Sequence, residues 1–506
     1  MVVNSVISGS QTGYACLALA ALLAILPAAS RAAAPILHHR LTQPLSTLPA
    51  VTITSSPTQN MQCSGGVCTP TTAHGWLNVS DLTNMLATSD VKITTGNTTE
   101  DININAPFGW TSSFRLTLVA LHSVNVNRSV SVAGDGGLTF TTNVGQSDGN
   151  LSFGPSGYVT YLGLTNPLLN PLTVDGTPYV LVNSVQMLAQ KIAVNRNGNF
   201  ALSVSYDAGP DGTYTHTPIP ALGGRFEGLG NTISNLVVKD QTTSSSVGGL
   251  IAELLYGAQL RSLRIKGAQI SMTDTGPNRN LGGVVGDTEG EIANVSFSGV
   301  VIGTYGDIGG IAGSDGGPIR DSSANGSVRS TGSSSVNFVS AVGGLVGRQT
   351  GELINCHASA RVKVNSDSYA GGLIGWLQYD VVSSSYATGT VTGGVKSDVG
   401  GFVGRFDTSS GSIDTSTAYG AVSGGERSNS GGFIGRNVDG HISNSTSYGT
   451  VNGGTESGSY TGGFVGFDSQ PGYMTNDAWD MTTSGINDPS RGAGNIANDP
   501  GITGFN

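Results

Sequence analysis

The clearest pattern of apolar and polar positions in this chain is a five-residue phrase, Gly-Gly-φ-φ-Gly, in which φ is an apolar residue. Eight near-copies follow one another at intervals of 27 to 34 residues, a spacing typical of stacked repeats. The copies begin at Gly248, Gly282, Gly309, Gly343, Gly371, Gly400, Gly431 and Gly462. We expect these glycines to lie at turns between strands and to adopt positive φ angles there.

A second pattern follows most of the glycine phrases and alternates with a period of two. Counted from the first residue, offsets 3 and 5 are mostly small or apolar, offset 7 is Gly or Ala, and offset 9 is Val. This alternation fits a strand with one buried face and does not fit a helix of period 3.6. The spans are residues 292–301, 319–328, 353–362, 382–391, 413–422 and 442–451.

One repeat of this kind is too small to fold alone. Its four or five apolar side chains gain roughly 1.5–3 kcal/mol each on burial, whereas ordering the backbone costs roughly 1–2 kcal/mol per residue. Stacking successive coils about 4.8 Å apart merges the small cores into one and pairs every strand with its neighbours. The sequence therefore predicts an all-β fold, a parallel β-helix.

The remainder of the chain divides by composition. Residues 1–34 contain an apolar run of signal-peptide length followed by small residues, which predicts export and removal of this segment. Residues 35–75, rich in Pro, Thr and Ser, are predicted to be a linker. Alternating segments predict N-terminal coils over residues 76–225, with short helices after Ser80–Asp81 and over residues 183–193. Residues 226–470 hold the repeats, and residues 471–506 form a tail or cap.

Composition narrows the possible partners. Charged residues make up 11% of the chain, glycines number 76 and the net charge is -10. A turn-rich acidic protein of this kind is not expected to bind nucleic acid or anionic membranes. Of the cysteines outside the leader, Cys356 occupies an inward offset, and Cys63 and Cys68 are spaced for a disulfide loop, with a zinc site the less favoured alternative.

Catalytic chemistry has only scattered candidates. Six aspartates flank presumed turns, where an Asp that caps its own backbone is the simpler interpretation. No cofactor or metal motif occurs, and we expect no enzyme activity; an enzyme that cleaves acidic polysaccharides is the alternative. These candidates are Asp287, Asp315, Asp321, Asp380, Asp407 and Asp414.

Exposed tyrosines are the strongest candidate for a ligand-binding feature. Tyr386, Tyr419 and Tyr448 occupy even offsets, opposite the inward residues, so a column of rings could stack on sugars or on a partner protein. Mutual covering of aromatic rings on neighbouring strands is the simpler alternative. His357, next to Cys356, is predicted to be a solvated strand residue.

The repeats resemble the GLUG motif of bacterial surface proteins, and residues 226–236 look like the phrase that opens such arrays. Residues 106–143 are similar to coils of filamentous-haemagglutinin-like adhesins exported by two-partner secretion. The resemblance implies a right-handed β-helix, secretion from a Gram-negative cell through an outer-membrane transporter, and adhesion to a host or bacterial surface glycan or protein. A shortened or truncated relative of a larger adhesin is a further alternative.

Overall fold

The computed structural model describes residues 49–506 except 147, 164–170, 242–245, 274–278 and 333–338. These residues form stacked coils of parallel strands, so the predicted all-β parallel β-helix is confirmed. The proposed signal peptide, residues 1–34, lies outside the described residues. In the described part of the chain, no helix has the length and apolar character needed to span a bilayer.

The first half of the solenoid has three sheets, which enclose one apolar core. Sheet A contains Ala50–Thr54, His74–Asn78, Asp101–Ile104, Val124–Val126 and Leu151–Phe153. Sheet B contains Met61–Ser64, Val67–Pro70, Val91–Thr94, Arg115–Val119, Gly137–Thr141, Leu172–Val174 and Thr177–Val182. Sheet C contains Phe108–Trp110, Val130–Ala133 and Val159–Leu162. The alternating segments of residues 91–140 are therefore strands, as predicted.

The second half has four sheets around a second core. Sheet D contains Asn199–Leu202, Arg225–Glu227, Gln259–Arg261, Glu291–Ala293, Ile319–Arg320, Leu353–Ile354, Val381–Ser383, Ser412–Asp414, His441–Ser443 and Met474–Thr475. Sheet E contains Tyr206–Asp207, Thr213–Tyr214, Thr232–Ser234, Val237–Asp240, Arg264–Met272, Ser296–Gly303, Ser323–Ser330, His357–Ala358, Arg361–Lys363, Tyr386–Ala387, Val391–Thr392, Thr417–Ala418, Val422–Ser423, Thr446–Ser447, Val451–Asn452, Asp477–Asp480 and Ile502–Phe505.

The other two sheets of the second half meet at the glycine phrases. Sheet F contains Ile219–Leu222, Ile251–Leu254, Val285–Thr288, Ala312–Asp315, Val346–Gln349, Ile374–Leu377, Val403–Phe406, Ile434–Asn437 and Val465–Asp468. Sheet G contains Val247–Gly248, Asn280–Gly282, Asp307–Gly309, Ala341–Gly343, Tyr369–Gly371, Asp398–Gly400, Asn429–Gly431 and Tyr460–Gly462. Each strand of sheet G ends at the first glycine of a phrase, and the sheet F strand of the same coil begins three residues later.

The two halves are joined by a reversal of chain direction. Strands Leu172–Val174 and Thr177–Val182 are antiparallel, although the strands on either side of this hairpin pair in parallel. The core changes sides at the same place, because Tyr179 belongs to the first core and Val182 to the second. The strand direction and the face of the sheet that covers the core both reverse here. The coils of the two halves therefore wind in the same sense. The boundary between the two halves lies near residue 182, upstream of residue 226, where the repeats are predicted to begin.

Helices and a buried tryptophan close the ends of the cores. Helix α1 (Val79–Leu86) buries Leu82 and Leu86, and it is capped by Asn78 rather than by the predicted Ser80 and Asp81. Helix α2 (Val185–Val194) packs into the first coils of the second core, so it is a cap and not a surface decoration. Beyond the last repeat, Trp479 is fully buried beside the short helix α3 (Met481–Ser484). Residues 471–506 are thus a cap.

The predicted linker is wrong in its described part. Residues 49–75 contain the first strands of sheets A and B, because alternating apolar side chains such as Val51 and Ile53 enter the first core. Cys63 and Cys68 form a disulfide across the hairpin of Met61–Ser64 and Val67–Pro70, as predicted. In this segment, Pro, Thr and Ser belong to the strands and turns of the first coil.

The prediction that the phrase glycines adopt positive φ is also wrong. None of the eight initial glycines has a left-handed backbone. Instead, they allow backbones to approach closely: a Cβ added at Gly343 would lie 1.9 Å from the carbonyl oxygen of Val346. One added at Gly344 would lie 2.1 Å from the carbonyl oxygen of Gly372 in the next coil. Only glycine permits sheets F and G to fold back at this spacing.

The left-handed corners belong to another column of residues, between sheets D and E. Eight successive coils place a non-glycine residue there with φ between 50° and 58°. Asn and Asp tolerate this conformation because their side chains bond locally; Ser and Thr also occur. The column consists of Ser262, Asn294, Asp321, Asn355, Ser384, Thr415, Asn444 and Asn476.

A ladder of buried serine hydroxyls provides hydrogen-bond partners for the backbone groups that follow these corners. The Ser385 hydroxyl accepts a hydrogen bond from the Cys356 backbone N–H at 3.0 Å and donates to the Ser383 carbonyl at 2.8 Å. Ser322, Ser416 and Ser445 make equivalent pairs of bonds, and Asp477 accepts the last one. The inward serines therefore supply acceptors that the neighbouring coil requires.

We predict that Gly372→Ala destabilises the fold. A Cβ there would lie 2.0 Å from the Gly401 carbonyl oxygen, so the coils must separate. We expect a loss of roughly 1–3 kcal/mol or more in the free energy of unfolding, measured by urea titration. Gly316→Ala is the control, because its nearest contact would be 3.5 Å. Equal stability of the two variants would refute the close-approach explanation.

We predict that Ser385→Ala costs about 1–3 kcal/mol, because it leaves the buried Cys356 N–H without a partner; the Ser383 carbonyl keeps its bond from the Asn355 N–H. The measurement is again the urea midpoint. Ser359→Ala, on the exposed face of the same region, should change the midpoint little. A neutral result at Ser385 would mean that the ladder is dispensable.

Candidate binding surface

The outward face of sheet E carries the predicted tyrosines in two rows. The first row runs through Arg264, Ser296, Ser323, His357, Tyr386, Thr417 and Thr446, which are register partners in successive coils. The second row lies two residues further along each strand and includes Tyr419 and Tyr448. We call these the His357 row and the Tyr419 row. All three tyrosines are exposed, with relative accessibilities of 40%, 51% and 37%.

The rings form two stacked pairs instead of one column. Tyr386 stacks on His357 with ring centroids 4.8 Å apart, and Tyr419 stacks on Tyr448 at 5.2 Å. Tyr448 also meets Phe505 edge to face. The pairs lie on different rows because Tyr386 sits two positions earlier in its strand. Each pair presents a flat aromatic surface that could pack against a sugar ring.

His357 is part of this surface and is not a simple solvated residue as predicted. It is half-buried under Tyr386. Burial lowers the pKa of His357 below its usual value, which favours the neutral ring at pH 7. A neutral imidazole can both donate and accept a hydrogen bond at this face.

A cleft adjoins the N-terminal end of the His357 row. Its floor is the His357 row from Arg264 to His357, and residues near Phe153 and Pro155 form one wall. Arg264 links the floor of the cleft to this wall, because it donates hydrogen bonds to the Gly154 carbonyl at 2.6 Å and to the Gly157 carbonyl at 3.1 Å. The guanidinium is therefore a structural link between the halves, and the cleft it supports is lined by both polar and apolar residues, among them three serines.

A second outward feature, which sequence reasoning missed, follows the glycine phrases on sheet F. Arg348 lies over the Trp376 ring at 4.8 Å, and Arg405 lies over Tyr369 at 5.0 Å. Both cations are also paired, Arg348 with Asp307 at 2.9 Å and Arg405 with Asp407 at 2.7 Å. Each cation directly follows a Gly-Gly-φ-φ-Gly copy, so aligning the repeats would have revealed the ladder. Arg348 and Arg405 are thus balanced by carboxylates, whereas Arg436 of the next coil lies over the Phe467 ring and joins no ion pair among the described residues.

The candidate carboxylates do not assemble into one group. Asp287 is on the outward side of sheet F, whereas Asp315 is fully buried and hydrogen-bonded to Gln349. Asp321 bonds Asn355, Asp407 pairs with Arg405, and Asp414 bonds Ser443. Asp380 lies at an exposed turn. Among the described residues, no cluster of three or more His, Cys, Asp or Glu could hold a metal ion.

Several other carboxyl groups are buried and have raised pKa values. Burial raises the pKa of Glu227, Asp307, Asp477 and Asp499 to about 7 and that of Asp398 to about 6. At Asp499 the neighbouring Asp468 carboxylate adds to the effect. Burial likewise raises the pKa of the Cys356 thiol to about 12, so this cysteine is an inert core residue.

Comparison with known proteins finds the GLUG motif in this chain. Residues 339–365, 366–392 and 426–452 match the family model described as the GLUG motif. The chain is also similar to Halomucin of Haloquadratum walsbyi, with 29% identity over 140 residues. That alignment covers 25% of this chain and 2% of Halomucin, so the chain corresponds to a small fraction of that relative's length. The matched repeats include the coils that carry His357, Tyr386 and Tyr448.

We predict that the protein is more stable at pH 5 than at pH 8. The raised pKa values mean that the folded state binds more protons than the unfolded chain between about pH 4 and about pH 7, so the free energy of unfolding falls as the pH rises through this window. The thermal midpoint measures the change. Asp499→Asn should reduce the difference between the two pH values, and a higher midpoint at pH 8 would contradict the prediction.

Proposed function

We propose that this protein is an exported, non-catalytic surface or matrix protein that adheres through the outward face of sheet E. The observation that carries the proposal is the rigid presentation of two stacked aromatic pairs, His357–Tyr386 and Tyr419–Tyr448, on consecutive coils of one sheet. Since every coil is fixed by its neighbours, the rings are held in place before a ligand arrives, and little ordering entropy opposes binding.

The comparisons support a surface location. The GLUG motif and the similarity to Halomucin, whose name denotes a mucin, fit a protein of the cell exterior. Export through a signal peptide and an outer-membrane transporter of the two-partner type, from a Gram-negative cell, is part of the same proposal. The disulfide Cys63–Cys68 agrees with an oxidising compartment. The proposed ligands are glycans or proteins of a host or bacterial surface.

The arrangement of carboxylates favours a non-catalytic role. Glycoside-cleaving sites require two carboxyl groups flanking one bond. Asp287 and Asp315, the pair considered for a polysaccharide-degrading enzyme, lie on opposite sides of sheet F, and Asp315 is fully buried. A substrate on the surface would reach only Asp287.

We predict that adhesion depends on the aromatic pairs. The full chain, labelled and incubated with bacterial and epithelial cells, should be retained, and a variant with Tyr386→Ala, Tyr419→Ala and Tyr448→Ala should lose most of the retention. The matched control replaces Tyr256, Tyr379 and Tyr473, which are exposed outside sheet E. Equal retention of both variants would place the adhesive surface elsewhere. Failure of the unaltered chain to bind any cell would contradict the proposal itself.

A further inference from the structure

The middle of the outward face of sheet E, between the strands that contain Asp207 and Asp480, has an excess of basic residues. Its outward strand positions from Thr232 to Asn452 contain no Asp or Glu, although the chain as a whole has 33 acidic and 23 basic residues. The same positions hold six basic residues. They are Lys239, Arg264, Lys266, Arg329, Arg361 and Lys363.

Three of these cations form one cluster on adjacent coils. Arg329 and Lys363 are direct register partners, and Arg361 lies opposite Ser327, two residues from Lys363 on the same outward side. All three side chains are exposed. Like charges placed directly opposite each other on neighbouring strands repel. The cluster therefore has an unfavourable interaction that an anion bound between the side chains would relieve. We call these three residues the basic cluster.

The basic cluster differs from the paired arginines of sheets D and F in lacking carboxylate partners. On sheets D and F, Arg261, Arg320 and Arg348 are ion-paired with Glu291, Glu352 and Asp307 of neighbouring coils. Within the described ranges, Arg329, Arg361 and Lys363 take part in no ion pair. The nearest carboxylates along the chain, Asp321 and Asp367, lie at the corners that bound the face, and Asp321 already bonds Asn355.

The surroundings of the basic cluster are suited to a carbohydrate. Arg361 lies four residues from His357 on the same outward side, and His357 stacks with Tyr386 of the next coil. Ser323, Asn325 and Ser327 place two hydroxyls and one amide on the neighbouring strand. Aromatic faces pack against sugar rings, hydroxyl and amide groups exchange hydrogen bonds with sugar hydroxyls, and Arg or Lys binds carboxylates.

We propose that the basic cluster and the His357–Tyr386 pair bind an acidic polysaccharide whose sugars carry carboxylate groups. This inference rests on the proposed function, since it names the ligand class of the adhesive face. The net charge of -10 favours such a chain over duplex DNA. Duplex DNA carries about one charge per 1.7 Å of helix axis and is repelled more strongly by the remainder of the molecule.

The test measures binding of the full chain to sodium polygalacturonate. Fully methyl-esterified polygalacturonate, which keeps the sugars and removes their charge, is the matched ligand control, and a duplex DNA is the second comparison. We expect binding to the free acid that weakens as NaCl rises from about 0.05 M to about 0.3 M, because salt screens exposed charges. The methyl ester should bind at least about tenfold more weakly, as expected for loss of charge-assisted hydrogen bonds.

The protein variants locate the site. Combined Arg329→Ser, Arg361→Ser and Lys363→Ser substitutions should raise Kd for polygalacturonate about tenfold or more, since they remove all three cations of the cluster. The control variant, Lys92→Ser, Lys191→Ser and Arg196→Ser, removes three exposed cations elsewhere and should stay within about twofold. Thermal unfolding and the circular dichroism spectrum confirm that both variants keep the fold.

The outcomes separate this inference from the proposed function. Unchanged binding in the cluster variant, equal loss in the control variant, tighter binding to duplex DNA, or no binding to polygalacturonate by the unaltered chain would each overturn the inference. If the chain is retained on cells but ignores polygalacturonate, the proposed function stands and the inference fails. If it binds polygalacturonate through the cluster but no cell, the inference stands and cell adhesion fails.

Discussion

The structure depends on one constraint: each coil must leave its backbone groups where the next coil can pair with them. Along the strands this is ordinary parallel pairing. At the corners between sheets D and E, where the chain turns through a left-handed residue, the pairing is completed by buried serine hydroxyls such as Ser385. Unsatisfied groups at these buried positions would each cost about 1–3 kcal/mol. Because the same corner recurs in successive coils, the ladder sets the register of the stack.

The glycine phrases meet the same constraint on the opposite side of the core. Sheets F and G fold back so closely that a Cβ at Gly343 or Gly372 would overlap a carbonyl oxygen. The apolar residues between the glycines then form internal columns, and Phe402, Phe433 and Phe464 stack at centroid distances of 4.7 and 4.8 Å. The close approach of sheets F and G thus requires glycine where the chain folds back, and it places large apolar residues in the core.

This rigid interior determines what the surface can do. Side chains that are register partners on neighbouring coils are held close together, so rows of like residues become continuous surfaces. On sheet F the row is self-contained, with Arg405 held by Asp407 and Tyr369. On sheet E the rows remain open, with stacked aromatic pairs and cations that lack carboxylate partners within the described ranges. The two faces follow from the same repeat, but they differ in how many of their charges are already paired.

The sequence by itself determined the architecture, the period of the coils and the direction in which most strand residues face. These are local properties: alternation of small and polar residues, recurrence of glycine and the spacing of Cys63 and Cys68 specify pairing whatever the distant partners are. Tertiary structure alone decided that Gly343 serves close approach instead of a left-handed turn, and that the hairpin of Leu172–Val174 and Thr177–Val182 reverses the chain and moves the core to the other side of the sheet.

The candidate binding surface was likewise predictable from the sequence only in part. The outward direction of Tyr386, Tyr419 and Tyr448 was predictable from the alternation, but their stacking partners were not, since His357 and Tyr386 come from different coils. Likewise, Arg329 and Lys363 are far apart in the sequence and meet only through the register of two strands. Sequence patterns fix what each residue faces within its own strand. Contacts between coils depend on how many residues each loop contains, and only the folded stack reveals that alignment.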